Sequence, residues 1–235
     1  MMKNPGQPIA VMKDVTKSYL KGRNSFQVLK NVNLSIDMGE KIALVGPSGA
    51  GKTTLLYLLG LMDIPTSGSY TLLGSNPLAL SDSARSRLRG QTIGFVFQNY
   101  NLLPHLRTWE NVALPLHYSG INIQKRLGRA VEMLERVGLA DKKDHYPSEL
   151  SGGQEQRIAI ARALVMKPKL ILADEPTGNL DSQTGERILD LLDEVYAHGS
   201  TLITVTHSPE VASRAKRIIH LRDGQIINDQ VQPNA

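Results

Sequence analysis

The sequence predicts an α/β fold built on a mainly parallel sheet. Three observations carry that expectation. Short continuous apolar runs, "KIALVG" at 41–46, "KLILADEP" at 169–176 and "STLITVTH" at 200–207, have the composition of strands buried on both faces. An amphipathic helix at about 182–197 separates the last two, and strand–helix–strand alternation makes right-handed βαβ units. Residues 99–150 lose the β-branched runs and take up helical spacing, so a helical subdomain is expected between two core strands.

Taken in order, residues 9–45 are β-rich. "IAVMKDVTKSY" is followed by "FQVLKNVNLSI", in which Val28, Val32, Leu34 and Ile36 alternate in part, and then by the 41–46 run. A helix is expected over 52–62, closed near "PTSG" at 65–68. "YTLLG" at 70–74 and "TIGFVF" at 92–97 have strand composition. Helices follow at 108–118 and 122–138; the second places Ile123, Leu127, Val131, Leu134 and Val137 on one face.

The chain's 235 residues suffice for one large domain or two intimate subdomains. Its 41% hydrophobic and 21% charged content separates it from disordered chains. With no cysteine, disulfides, thiolate metal sites and a cysteine nucleophile are excluded. The longest strongly apolar stretch, "LLYLLGLM" at 55–62, is far short of the roughly 20 residues that span a bilayer. "MMKNPGQPIAVMKDV" has no apolar core of signal-peptide type, so membrane association is expected only through a partner. The net charge of +5 is interleaved with acids, and direct nucleic-acid binding is not expected. The densest basic groups, at 84–90 and 124–129, suit acidic headgroups or a partner.

"GPSGAGKT" at 46–53 fits G-x-x-x-x-G-K-[ST], with Gly46, Gly51, Lys52 and Thr53 in the fixed places. The glycines let backbone N–H groups turn inward onto phosphate oxygens, and the helix that follows adds its positive end. Lys52 is suited to the β- and γ-phosphates, and the Thr53 hydroxyl to Mg²⁺. A second apolar run ends in Asp174, whose carboxylate suits Mg²⁺, with Glu175 beside it to orient or deprotonate water. A nucleotide kinase would carry these two parts as well.

"LSGGQ" at 150–154 has two readings. Ser151 as N-cap and Gln154 three residues on match a capping box before an apolar helix at 158–165. That leaves Gly152 and Gly153 unexplained, since each costs about 1 kcal/mol relative to alanine in a helix. Glycines there imply a close approach to the backbone, and a serine hydroxyl with a helix N-terminus forms an anion site. Two anion sites and one nucleotide per chain suggest a symmetric pair, each Ser151 turn covering the partner's nucleotide.

These three motifs, in this order on one chain, resemble the nucleotide-binding subunit of ATP-binding-cassette (ABC) transporters over about 9–228. The resemblance implies a P-loop NTPase fold, with a RecA-like mainly parallel core, an N-terminal antiparallel β subdomain and an inserted helical subdomain. The 235 residues are then one domain, with 9–98 and 166–228 as catalytic core and β subdomain and 99–165 as helical subdomain. ATP and Mg²⁺ are the implied cofactors. Gly46, Pro47, Ser48, Gly49, Ala50, Gly51, Lys52, Thr53 and Thr54 would hold the phosphates, and Tyr19 resembles the aromatic that stacks on adenine. Gln98 resembles the glutamine that ligates Mg²⁺ with Thr53 and Asp174. Glu175 and His207 take the catalytic places. Ser151, Gly152, Gly153, Gln154 and Asp181, the acid of "GNLD", are implied contacts across a head-to-tail, ATP-bound homodimer.

The family often has a second glutamine after this turn; here stands Glu155, with Arg157 expected to offset its charge. The wording of 93–116 and 171–185 is most similar to the lipoprotein-releasing and macrolide-exporting group. That implies a separate transmembrane permease, with this chain held peripherally at the cytoplasmic face of the inner membrane. An exposed patch of Leu102, Leu103, Leu106 and Trp109 would suit docking of a partner's helix, and packing inside the helical subdomain is the other reading. A soluble ABC-type ATPase acting on nucleic acid or the ribosome is the alternative.

Overall fold

The computed structural model of the protein describes residues 8–22 and 24–232. Residues 1–7, part of the stretch considered above as a leader, lie outside the described residues. The strands are β1 (Pro8–Lys21), β2 (Asn24–Asp37), β3 (Lys41–Val45), β4 (Ser67–Leu72), β5 (Ile93–Val96), β6 (Leu170–Asp174), β7 (Thr201–Val205), β8 (Arg217–Arg222) and β9 (Gln225–Val231). The helices are α1 (Lys52–Leu59), α2 (Asp82–Thr92), α3 (Thr108–Tyr118), α4 (Ile123–Arg136), α5 (Gly152–Leu164), α6 (Ser182–Ala197) and α7 (Pro209–Ser213). Two compact units result: residues up to Arg89 with those from Gly199 onward, and Gly90–His198. The class is the expected α/β, with parallel strand pairs and a separate antiparallel β layer.

In the first unit β1 pairs antiparallel with both β2 and β4. Its alternation is interrupted by bulges. Lys17 faces Leu29 while Val15 faces Val32, so β2 carries one extra residue there, with Asn31 at φ 47. The extra residue changes the phase of the strand: Leu29, not Val28, is fully buried beside Val32, Leu34 and Ile36. β3 lies between β7 and β8, parallel to both, and β9 returns antiparallel along β8. The buried middle of β3 and the wholly buried β7 account for their unbroken apolar runs.

Helix α1 stops at Leu59, three residues earlier than its composition suggests. Leu61 turns left-handed (φ 55), its N–H bonds Leu58 O at 3.1 Å, and Met62 N–H bonds Tyr57 O at 2.9 Å. This is the paired hydrogen-bond pattern that closes a helix, reached here with Leu in the position glycine usually takes. Helix α2 carries no apolar stripe and buries only Thr92, which is why periodicity does not reveal it. Strands β8 and β9 alternate weakly; Arg217 on β8 pairs with Asp229 on β9 (2.6 Å) and ties both to the rest through Glu40 (2.9 Å).

In the second unit β5 runs parallel to β6, and α3, α4 and α5 pack on one another around Val112, Leu116, Leu134 and Ile158. Asn122 caps α4 by accepting the Lys125 N–H at 3.0 Å. The buried stripe of α4 is Ala130, Met133 and Leu134, continued by Val137. Ile123 and Leu127, expected on that face, are 58% and 39% exposed. Among the described residues no helix is long and apolar enough to cross a membrane.

The end of α1 depends on a buried tyrosine. Tyr70 is 1% exposed, and its hydroxyl donates to Leu59 O at 2.7 Å, satisfying one of the last helix carbonyls. Tyr70→Phe keeps the shape and leaves that carbonyl unpaired, so a loss of about 1–2 kcal/mol is expected in urea unfolding, with the m-value unchanged.

Candidate active site

The phosphate loop joins β3 to α1. A Cβ on Gly46 would lie 2.0 Å from Leu221 O, so no other residue fits where the loop leaves the strand. Gly51 caps α1 at φ 99, a conformation costly for any residue with a side chain. Pro47, Ser48 and Gly49 are exposed, whereas Ala50 is buried and its carbonyl accepts the Gly224 N–H at 3.1 Å. Lys52 Nζ donates to Gly46 O at 2.8 Å and to Pro47 O at 2.9 Å, which holds the ammonium over the loop. Thr53 is exposed on the first turn of α1, and Thr54 half-buried. This turn, with its N–H groups, cation and hydroxyls, fits a phosphate chain.

Tyr19 lies half-buried on β1, and its hydroxyl donates to Asp63 at 2.7 Å. Burial and the Asp63 carboxylate push the phenol up, while the Thr54 hydroxyl works the other way. His207 is exposed just beyond β7. It borders a cavity of about 340 Å³ shared with Val45, Ile218 and His220.

In the second unit, Ser151 caps α5. Its Oγ accepts the Gln154 N–H at 3.4 Å, and Gln154 Oε1 accepts the Ser151 N–H at 2.9 Å, completing the expected capping box. Gly152 and Gly153 now have a reason within this chain. A Cβ at 152 would lie 2.8 Å from the Tyr100 hydroxyl, and one at 153 would lie 2.4 Å from Thr184 Cγ2. Tyr100 is held there from behind: the largely buried Arg162 donates to Tyr100 O at 2.7 Å and to Asn101 O at 2.5 Å. Burial lowers that guanidinium to about 10.

Asp174 ends β6, and Glu175 follows in a left-handed turn (φ 46) whose carbonyl accepts the Gly178 N–H at 3.0 Å. Asn179 Nδ2 donates to Gln98 O and to Asn99 Oδ1, both at 3.1 Å, and so ties Gln98 to the 178–181 loop. Asp181 caps α6 by accepting the Thr184 N–H at 2.9 Å; bonds to Thr184 hold its carboxyl below the usual range. The donors proposed for the metal, the Thr53 hydroxyl, the Gln98 amide and the Asp174 carboxylate, are hard oxygens. They suit Mg²⁺, which takes few protein ligands beside substrate phosphates.

Residues 29–178 match the family model described as ABC transporter. The chain is 50% identical over 216 residues to the ABC transporter ATP-binding protein YknY of Bacillus subtilis, covering 92% of this chain and 94% of that one. The chain belongs to the ABC transporter family. It is the ATP-hydrolysing cassette of that family. The macrolide export ATP-binding/permease protein MacB of Escherichia coli is 46% identical over 222 residues, 94% of the cassette but 34% of MacB. The ATP-binding cassette MJ0796, solved as a dimer in a post-hydrolysis state bound to ADP and Pi, superposes with a TM-score of 0.88. That match has 43% identity and covers 94% of the cassette and 98% of MJ0796.

Two expectations need correction. Arg157 does not face Glu155: it donates to Val137 O at 3.1 Å, and its charged neighbours are Arg187 and Asp141. Leu102, Leu103, Leu106 and Trp109 are half-buried rather than exposed. Asn111, fully buried, staples their loop: its side-chain amide donates to Leu103 O at 3.1 Å and Leu106 O at 3.0 Å.

The sequence reading also missed Gln156, fully buried, whose Nε2 donates to Pro176 O at 2.5 Å beside Glu175. A polar residue on the apolar face of α5 was the available signal.

Burial alone raises the Glu155 carboxyl above the ordinary glutamate value. The folded cassette therefore holds a Glu155 proton more tightly than the unfolded chain does, and folding is increasingly opposed as pH rises from the ordinary glutamate value, in full once it exceeds the raised one. Glu155→Gln is expected to be more stable than the parent at pH 8 in thermal melting. The difference should shrink as pH falls toward the ordinary glutamate range.

Proposed function

We propose that the cassette binds Mg-ATP and that two copies close head to tail around two nucleotides to drive a separate membrane permease. The observation that supports this best is the pair of anion-suited turns on one chain, the phosphate loop before α1 and the exposed Ser151 turn before α5. MJ0796, its structural relative, was solved as a dimer with ADP and Pi. The glycines at 152 and 153 serve packing within the chain, so the case for the partner's phosphate rests on the Ser151 hydroxyl and the helix end.

In this reading Gly46–Thr54 hold the triphosphate, and Tyr19 stacks on the adenine. Ser151, Gly152, Gly153, Gln154 and Asp181 meet the partner copy and its nucleotide. Thr53, Gln98 and Asp174 hold Mg²⁺, which neutralises charge on the β- and γ-phosphate oxygens when bound. Glu175 accepts a proton from water as the water oxygen bonds the γ-phosphorus and the bond to the β-phosphate oxygen breaks, giving ADP and phosphate. His207 orients that water and contacts the γ-phosphate. Residues 99–165 act as the helical subdomain, and 9–98 with 166–228 as the core. The cassette works at the cytoplasmic face of the membrane, held there by its permease, as an export, lipoprotein-release or force-transmitting type. The last assignment draws on the likeness to MacB, which carries ATP-binding and permease parts.

Glu175→Gln is expected to trap an ATP-bound dimer in size-exclusion chromatography. A variant that stays monomeric with Mg-ATP and hydrolyses at the parent rate would refute the assignment. Ser151→Arg is expected to bind ATP as a monomer with near-parent affinity, yet to lose dimer closure and hydrolysis. Co-purification with a permease tests the transport role, and recovery with ribosomes or nucleic acid in its place would sink it.

A further inference from the structure

Helix α1 begins at the phosphate loop, and the turn that closes it delivers Asp63 to β1. There Asp63 Oδ1 accepts from Lys17 Nζ at 2.5 Å, and Oδ2 accepts from the Tyr19 hydroxyl at 2.7 Å. Lys17 is 8% exposed, donates also to Ile64 O at 2.8 Å, and stands 4.8 Å from the centroid of the Tyr19 ring. The loop is stitched to the same strand by Thr66 N–H to Thr16 O (2.8 Å) and Ser18 N–H to Thr66 Oγ1 (3.0 Å).

Tyr19 is therefore fixed at three points: its backbone in β1, its hydroxyl on Asp63, and one ring face against the Lys17 ammonium. A cation placed over an aromatic face is attracted to it and leaves the opposite face for another flat group. A lysine this far out of water, paired with a partly buried aspartate, is a costly way to fill space, since an apolar pair would stabilise as well. What the ionic pair does give is one ring orientation, because a satisfied polar cluster has a single low-energy geometry. Phe26, opposite Tyr19 on β2 and 48% exposed, sets its ring 5.9 Å from that of Tyr19 at 36°.

We propose that the Lys17–Asp63 pair is a positioning device for the nucleobase: it locks the Tyr19 ring and commits its hydroxyl, so that the base is held by stacking on one face. This rests on the reading of Tyr19 as the base-stacking residue. Through Asp63 at one end and the phosphate loop at the other, α1 sets the base ring and the phosphate cradle against each other. Its eight residues make a rigid spacer of about 12 Å.

The test is equilibrium binding of Mg-ATP and of magnesium tripolyphosphate, which offers phosphates without a base, to the full chain. The variants are Tyr19→Ala, Asp63→Asn and the double change Lys17→Met with Asp63→Leu, which leaves no unpaired charge. The double variant is expected to weaken ATP binding by roughly 3- to 10-fold, the factor for one well-oriented stacking contact, with tripolyphosphate unchanged. KM for ATP should rise in step. If the double variant fails to fold, Asp63→Asn carries the same test with a smaller loss. Equal weakening of both ligands, or unchanged ATP binding, overturns the positioning role. A loss confined to Tyr19→Ala overturns it while leaving the stacking reading intact; no loss in Tyr19→Ala overturns both.

Discussion

A loop that must turn its backbone N–H groups toward an anion has little of itself left with which to hold its shape. In this cassette the shape is imposed from behind. Leu221 O packs so close to Gly46 that a single methyl would collide with it, and the turn between β8 and β9 donates Gly224 N–H to Ala50 O. Gly224 O in turn accepts the Lys30 N–H from β2 at 2.8 Å. Two strands near the carboxyl end of the chain thus brace a loop some 170 residues earlier, and that brace allows the loop to expose Pro47, Ser48 and Gly49 without collapsing.

The same division between a contact surface and its support recurs at the second turn. Ser151 and the first N–H groups of α5 form the exposed part, while Tyr100, Arg162 and Thr184 form the backing. The two glycines that first pointed outward, toward an approaching ligand, also point inward, toward a tyrosine hydroxyl and a threonine methyl. A glycine pair at a helix start is thus explained by both neighbours at once, and only the exposed serine separates a plain cap from an anion contact.

Legibility followed the range of the interactions. β3, β6 and β7 could be read because burial on both faces writes an unbroken apolar run into the chain. The phosphate loop and the Ser151 turn could be read because their chemistry is contiguous. Leu29 and Val28 were exchanged because a bulge in β2 changes its phase, and α2 went unread because it has no apolar face. Lys17 with Asp63, Arg162 with Tyr100, and Gln156 with Pro176 were invisible for another reason. Each pair joins positions well separated in the chain, and a single sequence records no pairing between them.

The 2.8 Å between the Tyr100 hydroxyl and the place of a methyl on Gly152 has an evolutionary consequence. A change at one position is felt at the other. An alanine at 152 requires that the tyrosine at 100 give way or lose its hydroxyl, whereas the glycine leaves the ring where it stands. The inheritance of this turn is then that of a pair, bound by lack of space rather than by any bond between them.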